Sequence, residues 1–98
     1  MQIEEIYAAL KNRKLCRSAH DFSRNYLGKH HSYFSVIKVR GEQPSIEAWA
    51  TLSYALQSRA QVLSRSDRDF VQAAAAQLSV LQHVAAENVM RACAEKLS

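Results

Sequence analysis

Apolar residues recur at Ile3, Ile6, Tyr7 and Leu10, the i, i+3, i+4, i+7 spacing of one helix face. Glu4 and Glu5 lie in the first turn of that segment and Lys11, Arg13 and Lys14 in its last, so both ends complement the helix dipole. The pattern predicts a helix from Ile3 to Arg13. Ser18 followed by Asp21 makes a capping pair for a second helix, Ala19 to Leu27, with Phe22, Tyr26 and Leu27 on its apolar side and Gly28 as its stop. A short third helix over His31 to Val39 buries Phe34 and Ile37 and runs into the turn cluster Arg40-Gly41-Glu42-Gln43-Pro44. Ser45 then caps a fourth helix whose inward residues are Ile46, Trp49, Leu52 and Leu56, with no breaker before Ser64.

Ser66 with Asp69 offers one more cap. The 32 residues from Asp67 to Ser98 contain no Gly and no Pro and are rich in Ala. They predict one helix of about 45 Å at ~1.5 Å per residue. Val71, Ala74, Leu78, Leu81, Ala85, Asn88 and Ala92 follow alternating spacings of three and four, a coiled-coil seam with a single polar member. Val80, Val84 and Val89 widen it. Folding back onto the first and fourth helices would cover part of this stripe, but its length calls for a second copy. The seven seam residues are therefore the expected homodimer interface. Trp49, Phe70 and Cys93 are expected in the core. The fold class is all-α with five helices, residues 1–64 forming the main domain and 65–98 the long helix packed on it.

Composition narrows the classes. Apolar residues are 48% of the chain, enough for a core, whereas 2 Gly and 1 Pro are too few for the turns of a multi-strand β fold. No apolar run reaches membrane-span length, and the acidic start MQIEEIY is unlike a signal peptide. Cys16 and Cys93, 77 positions apart, fit a reducing compartment, so a cytoplasmic protein is expected.

Charge is unevenly placed. Residues 1–44 carry the whole net charge of +4, and residues 45–98 sum to zero. From Lys11 to Arg40 there are eight basic residues and one acidic, with His20, His30 and His31 among them. Such a segment suits a polyanion, through phosphate neutralisation and counterion release, or is simply a solvated basic face. Catalytic chemistry has little to stand on. Cys16, His20, His30 and His31 lack metal-ligand spacing, and Cys16 with His20 lacks an acid partner and an oxyanion loop. No enzyme, metal or cofactor is expected.

Phe22-Ser23, Leu27-Gly28, Ser32-Tyr33-Phe34-Ser35-Val36-Ile37, Pro44-Ser45-Ile46-Glu47-Ala48 and Leu52 together resemble a lambda-repressor/Cro-type helix-turn-helix. With Leu10 and Leu15 the resemblance covers about half of the chain. The segment Phe22-Ser23-Arg24-x-x-Leu27-Gly28 also loosely resembles short helix-turn-helix proteins of alphaproteobacteria and their phages. Phe22 to Gly28 is one residue longer than the usual pattern. The resemblance implies a lambda-repressor-like domain that binds double-stranded DNA as a dimeric transcriptional regulator, most simply a repressor. It implies base-facing positions at His31, Ser32, Tyr33, Ser35 and Val36, and phosphate contacts from Arg17, Ser18, Lys29, His30, Lys38 and Arg40. The competing class is a protein-interaction module on the same scaffold, since one fold hosts many uses.

Overall fold

The computed structural model describes residues 2–98. Among them it contains five helices and no strand: α1 (Ile3–Asn12), α2 (Ala19–Asn25), α3 (Tyr33–Arg40), α4 (Ile46–Leu63) and α5 (Asp69–Leu97). No helix among the described residues is long and apolar enough to cross a membrane.

Local chemistry sets the boundaries. The Ser18 hydroxyl accepts from Asp21 N–H at 3.2 Å while the Asp21 carboxylate accepts from Arg17 N–H at 2.9 Å, so two free donors at the start of α2 are satisfied. Ser45 caps α4 by accepting from Ala48 N–H. α2 ends two residues before the expected Leu27, because Leu27 N–H reaches back five residues to the Phe22 carbonyl. That widened turn absorbs the extra residue between Phe22 and Gly28. Gly28 follows at φ +63°, and a Cβ there would lie 3.0 Å from the Thr51 methyl of α4, so both conformation and close approach require glycine. At the last cap the structure corrects the sequence. Ser66 accepts from Arg68 N–H in the turn ahead of α5, and the helix starts at Asp69 without a side-chain cap.

The core joins all five helices. Ile3, Ile6 and Leu10 of α1 meet Phe22 of α2, Phe34 of α3, Trp49, Leu52 and Leu56 of α4, and Leu78, Leu81 and Ala85 of α5 in one buried cluster. Tyr7, Phe22 and Phe34 form an aromatic triangle with ring centroids 4.9–5.3 Å apart, which locks α1, α2 and α3 together. Tyr26 is fully buried and donates its hydroxyl to the Leu15 carbonyl, and desolvation raises its pKa to about 12. The fully buried Ser23 hydroxyl donates to the Ala19 carbonyl at 2.9 Å and accepts from Phe34 N–H at 3.0 Å.

α4 and α5 form an antiparallel hairpin and the most extensive helix pair of the fold. Gln72 donates to the Ser64 and Ser66 carbonyls and closes the connection, and Gln82 donates to Ser53 across the pair. This pairing takes up part of the expected dimer seam. Leu78, Leu81 and Ala85 are buried in the chain's own core, while Val71, Ala74, Asn88 and Ala92 are half-buried along the same intramolecular seam. The reason is register: the stripe that could face a second copy faces α4 instead. Phe70 and Cys93, expected in the core, are exposed because both point away from that seam, and Ile46 is only half-buried at the start of α4.

Two measurements check this packing. Ser23→Ala leaves Phe34 N–H buried without an acceptor and is expected to lower unfolding free energy by about 1–3 kcal/mol in urea melts. Leu78→Ala is expected to cost about 2–5 kcal/mol in the same melts, because its side chain is fully buried in the core.

Candidate nucleic-acid interface

α3 presents one outward face. Phe34 and Ile37 point into the protein, which turns Ser32, Ser35, Val36 and Val39 outward at i, i+3, i+4 and i+7. Ser32 is half-buried, Ser35 is exposed, and Val36 and Val39 are 38% and 88% exposed. Val39 is absent from the residues expected at the interface. Its spacing of three from Val36 and seven from Ser32 carried the signal, but the expected helix ended there. Arg40 extends the helix one residue further, and Gly41 at φ +66° closes it, its own N–H and that of Glu42 returning to the Lys38 and Ile37 carbonyls.

Tyr33, expected to face bases, belongs to the scaffold. It is half-buried against the core, and its hydroxyl accepts from Ser45 N–H at 3.0 Å, which ties the start of α3 to the start of α4. Lys29, expected on a phosphate, sits 3.2 Å from the Glu47 carboxylate and 5.6 Å from the Tyr33 ring centre, so its charge is largely matched within the chain. The Ser18 oxygen serves as a helix cap, though its hydroxyl proton is still available to an acceptor.

The other cations stay open to solvent. Arg17, Lys38 and Arg40 are exposed, Arg40 making only a loose 3.8 Å contact with Glu42. Arg24 joins them and was not among the expected phosphate contacts. It stands four residues after His20 on the exposed side of α2, a spacing that places the two on one helix face. The one acidic residue of this region, Asp21, is held below its ordinary pKa by the Arg17 N–H and the Asn25 side chain. Its lone pairs are therefore directed at the α2 cap rather than at the basic surface.

His20, His31 and His30 stack in that order, with ring centroids 4.7 and 4.1 Å apart. His30 Nδ1 lies 3.0 Å from the Ser32 hydroxyl and also faces Ser32 N–H. His31 is held below its ordinary 6.5, first by the neighbouring His30 charge, then by desolvation, His20 and Arg24. Among the described residues no group of three His, Cys, Asp or Glu is placed to hold a metal ion. Cys16 stands apart from the histidines: burial pushes its thiol up to about 11, and it donates to the Ser18 carbonyl. A thiol so protonated is a poor nucleophile.

The family model described as "Family of unknown function (DUF6626)" matches residues 3–98, and the chain belongs to that family. No curated protein and no solved structure matches it.

The stack makes a measurable prediction. In an NMR titration the His31 midpoint is expected below 6.5 and should rise when His30 is replaced by Ala, because the His30 charge is the largest cause of its depression. An unmoved midpoint in that variant would assign the depression to another group.

Proposed function

We propose that this chain is a helix-turn-helix DNA-binding protein that lays α3 in the major groove and acts as a transcriptional regulator. Repression, by occupying the groove, is its simplest action. The observation that carries the reading is the outward face of α3, Ser32, Ser35, Val36 and Val39, set beside exposed Arg17, Arg24, Lys38 and Arg40. A helix of α3's width fits the major groove, and flanking cations hold phosphates on either side. The base-facing set is thus His31, Ser32, Ser35, Val36 and Val39, and the phosphate set is Arg17, Ser18, Arg24, His30, Lys38 and Arg40. Two copies on an inverted repeat, with their α3 helices about 34 Å apart, belong to the proposal. They would be joined through a surface other than Leu78, Leu81 and Ala85, which the core has already used.

The second reading, a protein-interaction module, is favoured by one feature. A groove of about 410 Å³ between α4 and α5 is lined mainly by Gln, Ala and Ser side chains, among them Gln57, Gln61, Gln72, Ala76 and Ser79. On that reading DNA affinity is no greater than that of any basic protein and does not depend on α3.

Salt titration of binding to a mixed-sequence duplex separates the two. The logarithm of the binding constant is expected to fall with the logarithm of salt at a slope of about −0.9 per phosphate neutralised. Replacing Arg17, Arg24 or Lys38 by Ala should reduce that slope by roughly 1 each. Equal, shallow slopes for all variants would overturn the DNA reading. Affinity should also climb as pH falls through and below 6.5, since phosphate beside the stack favours protonation of a His31 whose pKa is lowered in the free protein.

A further inference from the structure

Two valines stand on the outer face of α3. Val39 is 88% exposed and Val36 38%, and with Ser35 and Arg40 they line a shallow depression whose surface is almost wholly apolar. Elsewhere on this helix the outward groups are the hydroxyls of Ser32 and Ser35 and the cations Lys38 and Arg40. An exposed apolar pair embedded in positive charge needs an occupant that is apolar at one spot and anionic around it. A duplex major groove has that character where thymine occurs: the C5-methyl is the apolar group among the base edges, and phosphates line both walls. Charge complementarity favours this occupant over an apolar protein surface, which would leave Lys38, Arg40 and Arg24 unmatched.

Resting on the DNA-binding reading, we infer that Val36 and Val39 read thymine methyl groups, so that the base pairs under α3 are selected as A·T. The rest of the face is consistent in chemistry. Residues 32–39 include no Arg, Asn or Gln, the side chains that make two hydrogen bonds to guanine or adenine, and serine hydroxyls accept either base. Discrimination among pairs therefore falls to methyl contact. From Ser32 to Val39 the face spans about 10 Å at ~1.5 Å per residue, which is the rise of roughly three base pairs.

The test is a selection of duplexes from a random pool at near-physiological salt, followed by resynthesis of the enriched duplex with uracil in place of thymine at each position in turn. Uracil lacks only the methyl, so backbone charge and hydrogen-bonding edges are unchanged. Binding is expected to weaken about fourfold at one or two thymines, the equivalent of burying about one methyl-sized group each. Val39→Ser should weaken binding to the thymine duplex by a similar factor and lose the thymine–uracil difference at one of the sensitive positions while keeping it at any position read by Val36, the coupling expected of a direct contact. Val39 is solvent-exposed, so this variant should keep the parent's melting temperature, which is checked alongside. Equal binding of uracil and thymine duplexes by the parent chain overturns the inference, as does an enriched motif of G·C pairs or retention without any motif. Loss of all duplexes at that salt shows instead that the DNA-binding reading itself has failed, and a Val39→Ser effect on a protein partner but not on DNA would give the patch to that partner.

Discussion

The Ser23 hydroxyl governs where α3 sits. It is fully buried, and it bridges the Ala19 carbonyl of α2 and the Phe34 N–H of α3. An eight-residue helix does not hold itself together in water, because nucleation uses most of what its few hydrogen bonds return. α3 has no side-chain cap of its own at Ser32. Its first turn is stabilised from α2, through one oxygen, and the Phe34 ring then completes the triangle with Tyr7 and Phe22. Once Phe34 is fixed inward, helix periodicity decides the rest: positions 32, 35, 36 and 39 must face out. A side chain larger than serine at 23 would push α2 and α3 apart, and alanine would leave the Phe34 donor without a partner.

The α4–α5 hairpin is the platform against which that unit is set. Gly28 brings the turn after α2 against Thr51, and the Tyr33 hydroxyl pins the start of α3 to the start of α4. α5 stiffens α4 from the other side. Residues 64–68 connect the two helices directly. The partner face is then present at high effective concentration, whereas association of two chains loses translational and rotational freedom. Salt bridges add little to this platform; Lys29–Glu47 is largely solvent-exposed at its acidic end.

Helix number and type were legible because α1 shows strong periodicity, Ser18 and Ser45 cap as their residue types suggest, and Gly28 and Gly41 take the positive φ expected of glycine after a helix. Helix starts were less legible where a serine had two uses. Ser66 bonds Arg68 N–H in a turn, a local arrangement that looks like a helix cap in sequence. The destination of the α5 stripe was illegible in principle. A 3–4 seam reports that a face is buried, and the same seam serves an intramolecular hairpin or a dimer. At the interface, Tyr33 misled because an aromatic with a hydroxyl suits a base edge as well as a helix start, and only the Ser45 N–H contact separates them. Arg24 and Val39 were missed for a simpler reason. The first is a lone cation on a short helix, and the second lay at the last position of the expected α3.

The acidic groups matter to the basic surface through what they already bind. Asp21 accepts from Arg17 N–H and from Asn25, Glu47 faces Lys29, and Glu42 lies beside Arg40. Asp21 keeps its negative charge while accepting from neutral donors and is drawn to Arg17, so it offsets part of the field of Arg17, Arg24 and Lys38, whereas the Glu47 charge is taken up by Lys29. The imidazoles respond to that field. His31 sits between two other histidines and near Arg24, and like charge keeps its proton off more readily than in a free imidazole. A phosphate set against the same stack reverses the balance, because one anion interacts favourably with every group that depresses His31. The surface is thus less positive when empty than its histidine count suggests. On the proposed DNA-binding reading an approaching phosphate makes it more positive, coupling proton uptake to anion binding at the edge of α3.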